Sequence, residues 1–398
     1  MTVCSTGAAQ IRSESRAGRR IVAIASCILY VIPLLDPSPA ISQPASSSPP
    51  SGLDLCLVPD SVGNALRKIA RRVGGEIGVT AIHLESGARI SYNGRRRFPM
   101  ASVSKIPMAL EFLRRVDVGE VDLSKEIVVP TTDFRPGYSP LASWSGGRAE
   151  RATVDSLFRL MIEVSDNTAT DVILRMAGGP AEVTRRLRQL GLHEIEVNRS
   201  EARTFADLSG IPDTVPEAEL YRYNYFRMRD ALPPEHRQQA RLRFGDDPRD
   251  TATPDDAAEL LALIHAGQGL SPESRDYLLN SMLASRSGPR RIKGLLPGGT
   301  PVAHKTGTIA AAINDIGIIT LPDGAGHVAI AVFVYTFHRT EWRRERTIAE
   351  VSRLAYDYFS TAIDPRQFGP VSTACGTERT AADARDAVPT LSGEDTSM

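Results

Sequence analysis

Three short groups of residues carry chemistry in this chain: Ser102-Val103-Ser104-Lys105, Ser165-Asp166-Asn167 and Lys305-Thr306-Gly307. A serine hydroxyl is a poor nucleophile at neutral pH until a neighbouring base takes its proton. Ser102 and Lys105 stand three apart, the spacing that puts both on one face of a helix, so a neutral Lys105 is placed to be that base. The N-terminus of the same helix favours negative charge developing at Ser102. The reaction class that follows is acyl transfer through a serine. Metal chemistry has no comparable support. The seven His are scattered, and His83-Leu84-Glu85 falls at a strand end before a turn, with no third ligand near it in sequence. His304 is expected to face outward beside its strand. No glycine-rich phosphate loop lies between a strand and a helix, so no metal and no cofactor are expected.

Groups so far apart in sequence need a large core to bring them together. With 398 residues, 42% of them hydrophobic, the chain can build one, and its length suggests one to three domains. A formal net charge of zero implies no nucleic-acid surface, and Arg95-Arg96-Arg97 and Arg343-Arg344 read as solvated surface. At the N-terminus, Arg12, Arg16, Arg19 and Arg20 precede the apolar run Ile21 to Leu35, which is short for a spanning helix and suits a signal peptide. Residues 1–40 are therefore a signal peptide, cleaved near Ser38-Pro39-Ala40, or else an N-terminal anchor. Either way the protein is exported, periplasmic or extracellular. A Pro/Ser-rich linker fills 41–55, a catalytic domain 56–365, and a polar, disordered tail 366–398.

Within that domain, helices are expected over Val62 to Val73, from Ser102 onward, Val154 to Glu163, Ala169 to Met176 and Ala181 to Leu190. Another starts at Thr253-Pro254-Asp255-Asp256, which has a capping Thr and Pro in the first turn. A last one runs from about Thr347 to Ile363. Strands are expected at Ile77 to Ile82 and Ala88 to Tyr92, joined by a turn at Glu85-Ser86-Gly87, then around Ala303 to Lys305, Ile313 to Leu321 and Val328 to Tyr335. Strands at both ends with helices between them imply an α+β fold: an antiparallel sheet built from both chain ends, flanked by helices, with an inserted all-helical lobe.

Further residues extend the three groups. Phe98-Pro99-Met100-Ala101 leads into Ser102, and Ser165-Asp166-Asn167-Thr168-Ala169 is followed by Gly178-Gly179-Pro180. Asn314-Asp315-Ile316-Gly317 and Glu341-Trp342-Arg343-Arg344 come near the end. With these, the chain resembles the class A β-lactamases and penicillin-binding proteins over residues 58–363. The resemblance implies that Ser102 is the nucleophile and that the backbone N–H groups of Ser102 and Thr308 form the oxyanion hole. By the same likeness Ser165 passes a proton towards the leaving nitrogen and Asn167 binds the substrate's side-chain amide. Lys305-Thr306-Gly307 lines the sheet edge, where Lys305 and Thr306 grip a carboxylate, and Tyr138 matches an aromatic at the site entrance. Glu201, 36 residues after Ser165, matches the Glu of the Ω-loop that activates water for deacylation. Arg199 and Asp250 match the ion pair that closes the neck of that loop.

The chain also departs from the pattern. Ala202 and Phe205 stand where a Pro and a water-holding Asn are usual, and about 36 extra residues enlarge the Ω-loop, about 202–249. In that insertion Thr214-Val215-Pro216-Glu217 has the form of a capping box opening a helix with Tyr221, Tyr223, Tyr225 and Phe226. A second helix starts at Pro233-Pro234-Glu235. The hairpin either contacts substrate or packs on the rim. No arginine follows Lys-Thr-Gly closely. Arg291 aligns with the alternative position for the arginine that pairs with the substrate carboxylate, or is one more solvated arginine. Ala101 and Ile309 replace a cysteine pair found in certain members. Cys56 and Cys375 flank the domain, either bonded or as two free thiols. The expected activity is opening of a β-lactam ring through a Ser102 acyl-enzyme, by a monomer acting on a small molecule. A D-Ala-D-Ala peptidase of penicillin-binding type and a binding module with little turnover are the alternatives. The substrate is then a β-lactam or a cell-wall peptide. A membrane is involved only through an uncleaved N-terminal segment.

Overall fold

A computed structural model of the chain describes residues 60–362. The signal or anchor, the linker, the tail and the Cys56–Cys375 pair lie outside the described residues. In chain order the strands are β1 (Glu76–His83), β2 (Arg89–Tyr92), β3 (Phe98–Pro99), β4 (Glu126–Val129), β5 (Glu150–Thr153), β6 (Thr251–Ala252), β7 (Val302–Ile309), β8 (Ala312–Thr320) and β9 (His327–Tyr335). The first helices are α1 (Asp60–Val73), α2 (Lys105–Asp117), α3 (Pro140–Trp144), α4 (Val154–Arg159), α5 (Asn167–Met176) and α6 (Pro180–Gln189). They are followed by α7 (Glu201–Ser209), α8 (Arg222–Ala231), α9 (Pro234–Arg243), α10 (Pro254–His265), α11 (Pro272–Leu283) and α12 (Glu341–Ala362).

Five strands pair antiparallel in the order β2-β1-β9-β8-β7, so both chain ends contribute and β7 is an edge. Alternation along β9 shows why the sheet sits between two cores. Val328, Ile330, Val332 and Val334 join one apolar cluster, shared with α1 and α12, while Ala329, Ala331 and Phe333 join the other, which the helical lobe fills. The first and last helices pack together, with Arg72 paired to Glu350 at 2.7 Å. Helix α2 is buried from Lys105 to Leu113 and forms the axis of the lobe. This is the α+β arrangement expected from the order of elements.

Local differences have physical causes. The helix expected over Val154 to Glu163 changes at Leu160 to a π-helical turn, and Ser165 ends it in the left-handed conformation at φ 67°. Such a bulge shifts a side chain out of helical register, and here the side chain is that of Ser165. Helix α12 begins six residues earlier than expected, and Arg344 is not a solvated arginine: it is half-buried and donates to the Ala311 carbonyl at 2.9 Å. The Thr214–Glu217 capping box opens only a one-turn 3-10 helix, Glu217–Glu219, without a side-chain cap. Pro216 disfavours the helical conformation for Val215, whose carbonyl instead accepts from Arg203. Helix α8 starts later, capped at Tyr221, and α9 starts at Pro234 as expected. His304 faces a covered side of the sheet and is fully buried, with Nδ1 3.0 Å from both Asp315 carboxylate oxygens.

Candidate active site

The residues of the three groups converge on one cleft of 490 Å³. Ser102 lies in a 3-10 turn, Ala101–Ser104, that runs straight into α2. Ala101, just before it, is held at φ 50°, a conformation that costs a non-glycine residue roughly 1 kcal/mol and is kept only where surroundings enforce it. The enforcement is visible at Gly307. A Cβ there would lie 2.5 Å from the Met100 carbonyl oxygen and 3.3 Å from Ser102 N. Only glycine lets the edge strand β7 run this close to the nucleophile. Asn314, opposite Gly307 in β8, donates to the Pro99 and Met100 carbonyls at 2.8 and 3.0 Å and holds the turn to the sheet.

Lys105, the first residue of α2, has no exposed surface. Its ammonium donates to the Ser165 carbonyl at 3.0 Å and to Asn167 Oδ1 at 3.0 Å, with Ser165 Oγ at 3.2 Å and Glu201 Oε1 at 3.2 Å. Lys305, equally buried, donates to Ser165 Oγ at 2.9 Å. The Ser165 hydroxyl thus bridges the two lysines. Burial, and then the charge of Lys105, push the Lys305 amine well below the usual lysine range. Burial pushes the Glu201 carboxyl up; Lys105 opposes this and Asp171 adds to it.

The remaining expected residues are all in or beside the cleft. Asn167 also donates to the Pro136 carbonyl at 3.0 Å, and Tyr138 stands exposed at the mouth. Thr306 donates its hydroxyl to Ser287 at 2.7 Å. Arg291 is not solvated: it is buried, donating to the Gly307 and Asn314 carbonyls at 3.0 Å each and to Thr308 Oγ1 at 2.7 Å, with Glu345 3.4 Å from Nε. It braces the β7 edge from below.

Glu201 opens α7, whose cap is Ser200. The neck below it is larger than one ion pair. Arg199 contacts Asp250 at 2.5 Å, Asp207 at 2.8 Å and Asp247 at 2.9 Å, and Arg249 joins Asp207 and Asp247. Asp207 and Asp247 bracket the insertion and gave no signal in the sequence beyond being acidic. Asp171 and Arg135, paired at 2.6 Å behind Glu201, were equally silent. The insertion packs in two places. Phe205 meets Tyr225 edge-on at 6.3 Å between ring centroids, and Phe244 packs with Ala101 and Ile309, the two residues that stand in place of a cysteine pair. Tyr225 is buried and Tyr223 exposed, so the aromatics of α8 serve mainly as packing. Among the described residues no group of His, Cys, Asp or Glu is arranged to hold a metal ion, and no helix is long and apolar enough to cross a membrane.

Comparison with known proteins places this geometry. Residues 61–359 match the profile described as the "Beta-lactamase enzyme family". The chain is 31% identical to the extended-spectrum β-lactamase PER-1 of Pseudomonas aeruginosa, over 67% of this chain and 77% of that protein. It is 25% identical to the carbapenem-hydrolysing β-lactamase KPC of Klebsiella oxytoca, over 78% and 93%. Among solved structures it resembles a β-lactamase from Chitinophaga pinensis, with a TM-score of 0.62 and 29% identity over 75% of this chain and 98% of that one. The TLA-3 extended-spectrum β-lactamase is similar, at 0.62 and 29% over 76% and 99%.

Proposed function

Since the chain belongs to the β-lactamase enzyme family and hydrolyses β-lactams, we infer that the ring opens through an acyl-enzyme on Ser102. The observation that carries this reading is the buried Lys105 ammonium, which holds Ser165, Asn167 and Glu201 together beside the nucleophile. Lys105, one turn along the helix, or Glu201, through a water, takes the Ser102 proton, so a variant that lacks the Glu201 carboxylate still acylates. The Ser102 oxygen then bonds to the lactam carbonyl carbon, and the oxyanion lies at the Ser102 and Thr308 N–H groups. As the C–N bond breaks, Ser165 Oγ gives the ring nitrogen a proton, and the one taken from Ser102 replaces it by way of Lys105, leaving Glu201 ionised. Lys305 and Thr306 receive the substrate carboxylate, which also stabilises Lys305 in its charged form. Arg291 supports this from behind, by holding Thr308 and the Gly307 carbonyl, rather than by reaching the carboxylate. In the second half, the ionised Glu201 takes a proton from water as the water oxygen attacks the ester carbonyl carbon, and returns it to Ser102 Oγ as the C–O bond breaks. Tyr138 lines the way in.

We place the enzyme outside the cytoplasm, on the basic and then apolar N-terminal segment followed by a Pro/Ser-rich stretch. The test is a chromogenic cephalosporin assay with intact-mass detection. Wild type turns over steadily, while Glu201→Gln stalls with the mass of an adduct, its deacylation slowed about a thousandfold. A stable adduct on the wild-type enzyme without turnover would instead indicate a penicillin-binding peptidase.

A further inference from the structure

Among the described residues five arginines line the cleft, and four of them are already engaged. Arg199 and Arg249 are held by Asp207 and Asp247, and Arg290 and Arg291 share Glu345, at 2.7 and 3.4 Å. The fifth, Arg286, is exposed, and its guanidinium makes no ion pair and no hydrogen bond. Its main chain, by contrast, is fixed on both sides. Arg286 N donates to the Glu163 carbonyl at 2.9 Å, in the π-helical turn that ends at Ser165, while the Glu163 carboxylate turns to Arg159 at 3.4 Å. The next residue, Ser287, accepts from the Thr306 hydroxyl at 2.7 Å. A free cation is therefore mounted on a segment tied both to the serine that meets the ring nitrogen and to the strand that receives the ring carboxylate.

That placement selects one part of a substrate. In a cephem the carbon bearing the carboxylate is bonded both to the ring nitrogen and to C3. With the nitrogen at Ser165 and the carboxylate at Lys305 and Thr306, the C3 substituent leaves on the side of residues 286–290, away from Asn167 and the side-chain amide. We propose that Arg286 is a specificity residue for that substituent, attracting cephems that carry a second anionic group at C3, a carboxylate or sulfonate, and disfavouring those with a cation there. This rests on the acyl-enzyme reading, which sets the orientation of the ring. An arginine fork meets either anion with two N–H groups. Because the guanidinium is exposed, its pull is modest and screened by salt, so it ranks substrates rather than deciding whether they react.

Cephems that share one acylamino side chain and carry an anionic, a neutral or a cationic C3 substituent test this, each read as kcat/KM relative to the neutral compound. In Arg286→Ala the anionic compound loses about threefold to fivefold and the cationic one gains about as much. Arg286→Glu widens both changes, and Arg286→Lys keeps most of the wild-type ranking. Raising salt from about 50 mM to about 500 mM flattens the ranking in wild type and leaves that of Arg286→Ala nearly unmoved. A loss of packing alone would shift the anionic and cationic compounds in the same direction. That result, or a ranking unmoved by Arg286→Ala, overturns the proposal. Glu201→Gln is measured alongside by intact mass. If it accumulates no adduct, the acyl-enzyme reading falls; if adduct accumulates and the C3 ranking ignores Arg286, only the role of Arg286 falls.

Discussion

On the Ser102 side of the cleft, what meets the substrate comes from the start of one buried helix and from one strand of the main sheet, in contact through Gly307. On the Glu201 side, the base rides a nine-residue helix tied down by a few charges: Asp171 at its start, and Arg199 just before it, which joins Asp207 of the helix itself to Asp250 and Asp247. One side is held by packing and sheet pairing, the other by a few buried charges. Packing distributes its energy over many atoms, whereas a buried ion pair that loses one member leaves an uncompensated charge. The acylating half should therefore yield gradually to substitution, and the deacylating half abruptly.

The strongest way to break this contrast is Arg199→Ala. It strands three carboxylates, with Arg249 left for two of them, and should cost about 3 kcal/mol of stability. Denaturant unfolding reads the stability and single-turnover kinetics read the two half-reactions. Deacylation should suffer far more than acylation, and an even split would mean that the neck does not serve Glu201 in particular. Next in size is Gly307→Ala, which drives a methyl against the Met100 carbonyl and should cost roughly 1–3 kcal/mol as overpacking. Here the order reverses. Acylation, read as kcat/KM, falls about tenfold or more as Ser102 and β7 move apart, and hydrolysis of an adduct already formed falls less.

The smallest effect sharpens the comparison through pH. Burial works against the Asp247 carboxylate, but Arg249 and Arg199 outweigh it and hold the pKa at about 2, below the ordinary 3.8. A pKa lowered by folding contributes stability that is complete above the unfolded value and disappears as pH falls through the folded one. The Tm difference between wild type and Asp247→Asn should then be constant above about pH 4 and shrink between there and pH 2. A difference independent of pH over that window would show that Asp247 contributes by shape and not by charge.

The same contrast governs what could be read from the sequence. Ser102, Lys105, Ser165 and the β7 residues are legible because their partners are sequence neighbours or sit on elements with clear periodicity. Glu201, Arg199 and Asp250 were found by spacing within a resemblance, not from local pattern. Asp171, Asp207, Asp247 and Arg135 had no signal, because what singles them out is a partner distant in sequence: Asp171 meets Glu201 thirty residues away. For His304, strand alternation says which residues share a face but not whether that face is covered, and the 3-10 turn Ile292–Leu295, whose Ile292 N donates to Asp315, lies against this one. At Thr214 the local pattern was right in form and lost to Pro216 two residues on.

One guanidinium holds both ends of the inserted hairpin: Arg199 Nη1 reaches Asp207 at 2.8 Å and Asp247 at 2.9 Å. The segment between them therefore begins and ends at the same point on the scaffold. A loop closed in this way loses chain entropy only slowly as it lengthens, about 0.6 kcal/mol for each doubling. The place behaves as a socket: polypeptide can be added or exchanged there while the reacting groups above it stay in register.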